Sequence, residues 1–323
     1  MEIRRLLWLL VCLANFKKSL CEKVILSNRG LTSVPGDISR DVTFLKLNGN
    51  GITTIRRIDF NDKFHNLTNL FLIENEITSI ESGCFKGTSL QLMKLDSNEL
   101  MTVPDLHEVS KTLNVLSLGH NKITRLSATE FSSLTELASL NISYNALQSI
   151  ELNCFQGTLL KTLILTKNKL TTVPDLRAVS STLEVIHLNI NKITKISLED
   201  LHYLTKLTKL LVNKNSFSTF PDITVFMPSL TKLNLNSNLV RCCCSDAWMK
   251  QTPSNVSLTL SDYPCQDPSK WATTSWDEIT VDMMLRQPCE AASSSRSFLY
   301  LCVLPNCVAR PGAVYYCLWW YAG

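Results

Sequence analysis

The sequence predicts an α/β solenoid. Short repeats stack into a curved array with a parallel sheet on the concave side, irregular or short-helical arcs on the convex side, and a disulfide-bonded cap at the C-terminal end. Three observations predict it. One eleven-residue frame recurs nine times at nearly constant spacing. Eight of the twelve cysteines fall after the last copy of that frame. The chain opens on a basic and then apolar segment of the kind that directs a chain to an oxidising compartment.

That opening reads "MEIRRLLWLLVCLANF". Arg4 and Arg5 precede an apolar run from Leu6 to Ala14. The run is shorter than the ~20 residues that a membrane-spanning helix needs. Residues 1–20 are therefore expected to be a signal peptide. Its cleavage point is not defined by the sequence, because Cys12 and the polar "NFKKSL" blur the usual small-residue site.

The frame is L-x-x-L-x-L-x-x-N-x-(L/I). It runs from "VTFLKLNGNGI" (42–52) to "LTKLNLNSNLV" (230–240), and its asparagines stand at 50, 75, 98, 121, 145, 168, 191, 215 and 238. The steps between them are 23 to 25 residues. Each x-L-x-L-x piece alternates apolar and polar residues with period two, so its aliphatic pair points to one side of a short strand. One repeat cannot bury that pair alone, but stacked neighbours can. Ten parallel strands are expected, with pairs such as Leu163/Leu165 and Ile186/Leu188 inside. The asparagine amide carries two donors and an acceptor, enough to satisfy backbone groups of its own turn and of the next repeat. The repeats occupy residues 42–238. A block of three was copied within them: residues 84–106 match 154–176 at a shift of 70.

Two kinds of outer arc follow the frame. One places a large apolar residue eight after the last aliphatic slot, at Phe60, Phe85, Phe131, Phe155 and Leu201. These are expected to stack into an inner spine. The other reads "TVPDL" at 102–106 and 172–176 and "FPDI" at 220–223, where proline favours extended rather than helical backbone. Cys84 and Cys154 lie three repeats apart. With strands ~4.8 Å apart they are too distant to bond, and they read as buried thiols beside the spine.

After Asn238 the chain reads "LVRCCCSDAW", with later cysteines at 265 and 289. Zinc sites favour C-x₂₋₄-C pairs, and no histidine lies near this cluster. Behind a signal peptide, disulfides are the expected chemistry. Together the frame and this ending resemble the extracellular leucine-rich repeat proteins with a C-terminal cysteine-rich flanking domain: Asn, C-x-C, a nearby Trp (here Trp248), then two more cysteines. The resemblance covers about residues 24–289 and implies a leucine-rich repeat horseshoe with a flanking cap over 239–289. It also implies first-to-third and second-to-fourth pairing, that is Cys242–Cys265 and Cys244–Cys289.

Two departures stand out. Such proteins carry a cysteine-rich N-terminal cap; here Leu26 stands where a cysteine is usual and only Cys21 lies upstream, so residues 21–41 read as a truncated cap with a partial first repeat. Cys243 is an extra thiol, expected to be free, to bond Cys302, Cys307 or Cys317, or to form an intermolecular disulfide. Residues 290–323 read as a Ser-rich linker and an apolar tail, in which Pro305, Arg310 and Pro311 interrupt any membrane span.

A formal net charge of +4 with no block of like charges gives nucleic-acid binding no support. The five histidines are scattered over different repeats and no catalytic motif or cofactor fingerprint occurs. The expected role is that of a secreted or cell-surface, non-catalytic recognition protein without cofactor, binding an extracellular protein, peptide or anionic glycan on the concave face. Strand alternation nominates Thr162, Ile164, Lys167, His187, Ile190, Lys209, Leu211, Lys214 and Lys232 for that contact. The alternatives are a matrix protein of the small leucine-rich proteoglycan type or a fragment of a receptor ectodomain. Asn66, Asn141 and Asn255 stand in N-x-(S/T) triplets and are expected to carry glycans.

Overall fold

The computed structural model describes residues 22–289. The expected signal peptide and the tail from 290 onward lie outside them, and so does Cys21.

The frame folds as its period dictates. Eleven parallel strands form one continuous sheet, from Glu22–Ile25 at one end to Ser257–Thr259 at the other. Successive strands pair in register: Leu140, Leu163, Ile186, Leu210 and Leu233 lie side by side. All five are fully buried. Each such side chain contributes ~1.5–3 kcal/mol relative to exposure. Ten strands were expected. The eleventh, Ser257–Thr259, comes from the cap and pairs with Lys232–Asn234, so the cap extends the sheet as well as covering its end.

The asparagines form the predicted ladder. Asn168 Nδ2 donates to Leu165 O of its own repeat at 3.1 Å and to Ile142 O of the preceding one at 2.9 Å. Its Oδ1 accepts the Leu147 N–H at 3.0 Å. The same double donation recurs from Asn50 to Asn238. The residue before most of these asparagines is left-handed: φ is 55° at Lys167, 57° at Ile190 and 55° at Lys214. That reversal turns each chain out of its strand.

The expected spine residues are buried, and their rings pack in two pairs. Phe60, Phe85, Phe131, Phe155 and Leu201 are all buried, with ring centroids 5.5 Å apart for Phe60 and Phe85 and 6.2 Å for Phe131 and Phe155. The proline arcs carry no helix as far as Leu106 and Leu176. One turn of 3₁₀ helix then follows, His107–Val109 and Arg177–Val179, which the proline argument does not foresee. Cys84 and Cys154 are buried free thiols.

The cap corrects the expected cysteine pairing. Cys242 is bonded to Cys265, but Cys289 is bonded to Cys243 and not to Cys244. The expectation of a free or intermolecular Cys243 fails with it: Cys243 is buried, and the free thiol is the half-exposed Cys244. The physical reason is local. Two-residue alternation holds only in extended backbone. Cys242 is left-handed at φ 54°, and the 3₁₀ helix Cys244–Lys250 begins two residues later. The chain rotates after Cys242, so Cys242 faces Cys265 while Cys243 reaches Cys289.

Candidate functional site on the concave face

The sheet presents two exposed columns between its buried residues. Register places Thr162, Val185, Lys209, Lys232 and Ser257 in one, and Ile164, His187, Leu211, Asn234 and Thr259 in the other. Ile164, Val185, His187, Lys209 and Leu211 are half-buried, and Lys232 is exposed. The nominated residues separate here. Thr162, Ile164, His187, Lys209, Leu211 and Lys232 share the sheet face. Lys167, Ile190 and Lys214 sit past the strands in the left-handed turns, and so edge the sheet rather than stand on it. The fixed spacing of the frame says which way a strand residue points; it says nothing of a turn residue. Val185 belongs with the face and completes an apolar centre of Ile164, Val185 and Leu211.

His187 sits within that centre. Its Nε2 is buried without a hydrogen-bond partner. Burial, and then the Lys209 ammonium beside it, hold its imidazole below the usual histidine range. At neutral pH it is therefore an uncharged member of an apolar patch, with Lys209 and Lys232 as the positive charges of the face.

The turn edge carries its own array. His120 and Tyr144 stack at 4.0 Å, and the Lys167 ammonium stands 4.6 Å from the Tyr144 ring. His120 and Tyr144 are left-handed as well, at φ 53° and 55°. This conformation is uncommon outside Gly, Asn, Asp and His, so Tyr144 is its unusual occupant.

The middle of the face is polar. Ser117 donates to Asp96 Oδ1 at 2.5 Å, and Asn141 Nδ2 donates to Ser117 Oγ at 2.9 Å and approaches Asp96 Oδ1 at 3.4 Å. Asn141 Oδ1 accepts the Ser143 N–H at 3.0 Å. Among the three nominated glycan acceptors, Asn66 and Asn255 are exposed, whereas Asn141 is half-buried in this network.

The N-terminal third holds a patch that the sequence reading missed. Phe44 and Phe71 lie 4.9 Å apart on neighbouring strands. The Lys23 ammonium is 5.8 Å from the Phe44 ring and Lys94 is 5.9 Å from Phe71, with Lys46 paired to Phe71 in register. Cations over ring faces of this kind contribute about 0.5–1 kcal/mol where exposed. The signal was present: the same alternation, applied to "VTFLKL" and "LTNLFL", puts both rings on the exposed columns.

Among the described residues, no group of three or more His, Cys, Asp or Glu side chains has the geometry to hold a metal ion, and no helix is long and apolar enough to cross a membrane.

Comparison with known proteins agrees with this architecture. The leucine rich repeat family model matches residues 40–100 and 111–170. Biglycan from Sus scrofa is 32% identical over 181 residues, 54% of this chain and 64% of that protein. Human biglycan is 32% identical over 183 residues, 56% of this chain and 49% of its own length. The human leucine-rich repeats and immunoglobulin-like domains protein 1 is 30% identical over 171 residues, which are 52% of this chain and 16% of that protein. The chain thus spans less than two thirds of these relatives' own length. A solved leucine-rich repeat protein of Leptospira interrogans superimposes with a TM-score of 0.59 over 77% of this chain and 75% of its own, at 23% identity, a likeness of fold.

Proposed function

We propose that this leucine-rich repeat protein, closed at one end by a cysteine-rich flank, is a secreted or surface-displayed recognition protein that holds an acidic extracellular protein or an anionic glycan across residues 162–237. The observation that supports this reading is the C-terminal half of the concave face. An apolar centre of Ile164, Val185 and Leu211 is accompanied by Lys209 and Lys232, with Lys167 and Lys214 along the turn edge. An apolar centre with a charged surround is the usual make-up of a recognition surface. Similarity to biglycan supports an extracellular setting. A glycan on Asn141 would crowd the middle of the groove and direct a partner toward this half.

The test is capture of the full chain by immobilised heparin and by a panel of extracellular protein domains, at several salt concentrations. Charge reversal at Lys167→Glu, Lys209→Glu and Lys232→Glu together is expected to abolish binding. Binding that survives the triple change with a flat salt dependence places the contact elsewhere.

Similarity to biglycan favours one second reading, a matrix protein carrying glycosaminoglycan. Ser82, followed by Gly83, is exposed, and its hydroxyl donates to Asp105 Oδ2 at 2.7 Å. A mass decrease after chondroitinase or heparinase treatment of the secreted protein distinguishes the two.

A further inference from the structure

The cap brings three sulfur atoms together. Cys243 and Cys289 are bonded, and the Cys244 sulfur lies 3.6 Å from Cys289 Sγ, in contact with it. Two groups from Ser245 converge on the same Cys289 sulfur: its backbone N–H at 3.3 Å and its hydroxyl at 3.2 Å. They fix the position of the atom that a neighbouring thiolate would attack. On the far side, Cys243 Sγ lies 3.5 Å from Asp246 Oδ2. While Cys243 is bonded to Cys289, its sulfur has no hydrogen to offer that buried carboxyl group.

We propose that Cys243, Cys244 and Cys289 form a thiol–disulfide exchange site, at which the second disulfide of the cap alternates between Cys243–Cys289 and Cys244–Cys289. Cys244 loses its proton to solvent, and its thiolate attacks Cys289 Sγ. The Cys243–Cys289 bond breaks, its electron pair leaves on Cys243, and Cys243 takes up a proton. One S–S bond forms as one breaks, so no oxidant or reductant is consumed. The released Cys243 thiol then has a hydrogen to donate to Asp246 Oδ2, a partner that the buried carboxyl lacks from this sulfur in the first isomer. The backbone already brings both neighbouring cysteines to Cys289, so the exchange requires little more than side-chain rotation.

The consequence is a thiol that can be presented or hidden. With Cys243–Cys289 in place, the free sulfur is the half-exposed Cys244. After exchange it is Cys243, which lies in the buried part of the cap. The number of disulfides, and with it the constraint on the chain, stays the same. Cys242–Cys265 takes no part and cross-links the cap throughout.

The experiment is isomer mapping of the intact, secreted protein. Samples held at pH 8 are quenched in acid, unfolded, labelled with N-ethylmaleimide and digested without reduction. Label is expected on both Cys243 and Cys244, with Cys289 recovered in disulfide linkage to each. Native labelling with a bulky maleimide is expected to show a fast phase and a slower one. The slow phase reports the return step, attack of the freed Cys243 thiolate on Cys289, and should accelerate as pH rises, because the thiolate is the nucleophile. Cys243→Ser and Cys244→Ser each trap one isomer, and both are expected to abolish labelling of the cap. Label confined to a single one of the two positions at every pH and time shows fixed pairing and overturns the proposal. That mapping uses the unaltered chain, so its outcome does not depend on whether either variant folds.

Discussion

Asn168 and Asn191 share one acceptor: the Leu165 carbonyl receives the Asn168 amide at 3.1 Å and the Asn191 amide at 2.9 Å. Each carbonyl of the ladder thus couples two repeats. Asn168→Ala or Asn191→Ala leaves buried backbone groups short of partners, at about 1–3 kcal/mol for each group. Both variants are expected to lower the denaturation midpoint. The double variant should cost more than the sum, because each single variant leaves the Leu165 carbonyl one amide donor and only the double variant orphans it. Unchanged midpoints in both single variants would remove the ladder as a source of stability.

Cys84 and Cys154 should be silent to alkylation in the folded protein. Burial above all, and then Asp59 and Glu81, push the Cys84 thiol up to about 12; burial, Glu130 and Glu151 do the same for Cys154. Neither forms an appreciable thiolate at neutral pH. Iodoacetamide at pH 8 should modify them only in denaturant, as peptide mapping can show. Labelling in the native state would mean that the spine opens locally.

Asp246 should make the cap more stable in acid. Burial pushes its carboxyl up to about 6 from an ordinary 3.8. Between those values the folded chain binds more protons than the unfolded one, so stability falls as pH rises through that window. The penalty at pH 7 is of the order of 3 kcal/mol. Asp246→Asn keeps an acceptor oxygen and removes the charge. It is expected to raise the melting temperature at pH 7.5, with the gain gone near pH 4. A gain that persists at pH 4 would have another origin.

His187 acts in the opposite sense. Its folded pKa is depressed, so the unfolded chain binds more protons once pH drops below about 6.5. Its contribution is present at neutral pH and is lost as pH falls from there. His187→Gln should flatten the stability profile between pH 7 and 5. An unchanged profile would show that the imidazole stays solvated.

The three N-x-(S/T) sites should differ in occupancy. Asn66 and Asn255 are exposed, while the Asn141 amide bonds to Ser117 and faces Asp96. Glycosidase release in ¹⁸O-water, followed by mapping, is expected to show high occupancy at Asn66 and Asn255 and lower occupancy at Asn141. Full occupancy at Asn141 would mean that the glycan is attached before this network closes.

The repeat frame alone determined the parallel sheet, the buried aliphatic pairs, the phenylalanine spine and the asparagine ladder. Each of these follows from a local period, and a period is legible wherever it is kept. The exposed columns at Ile164, His187, Lys209 and Leu211 were legible for the same reason, and Phe44 and Phe71 would have been had the alternation been carried to the first repeats. What only the tertiary structure decided lies where the period stops. The left-handed backbone at Lys167, Ile190 and Lys214 moved those side chains to the sheet's edge. Ser257–Thr259 joined the sheet without any frame of its own, since the last repeat supplied an unpaired strand edge. The partner of Cys289 was settled by one left-handed residue at Cys242 and the 3₁₀ turn after it, because a single backbone rotation exchanges the directions of adjacent side chains and no spacing of cysteines records it.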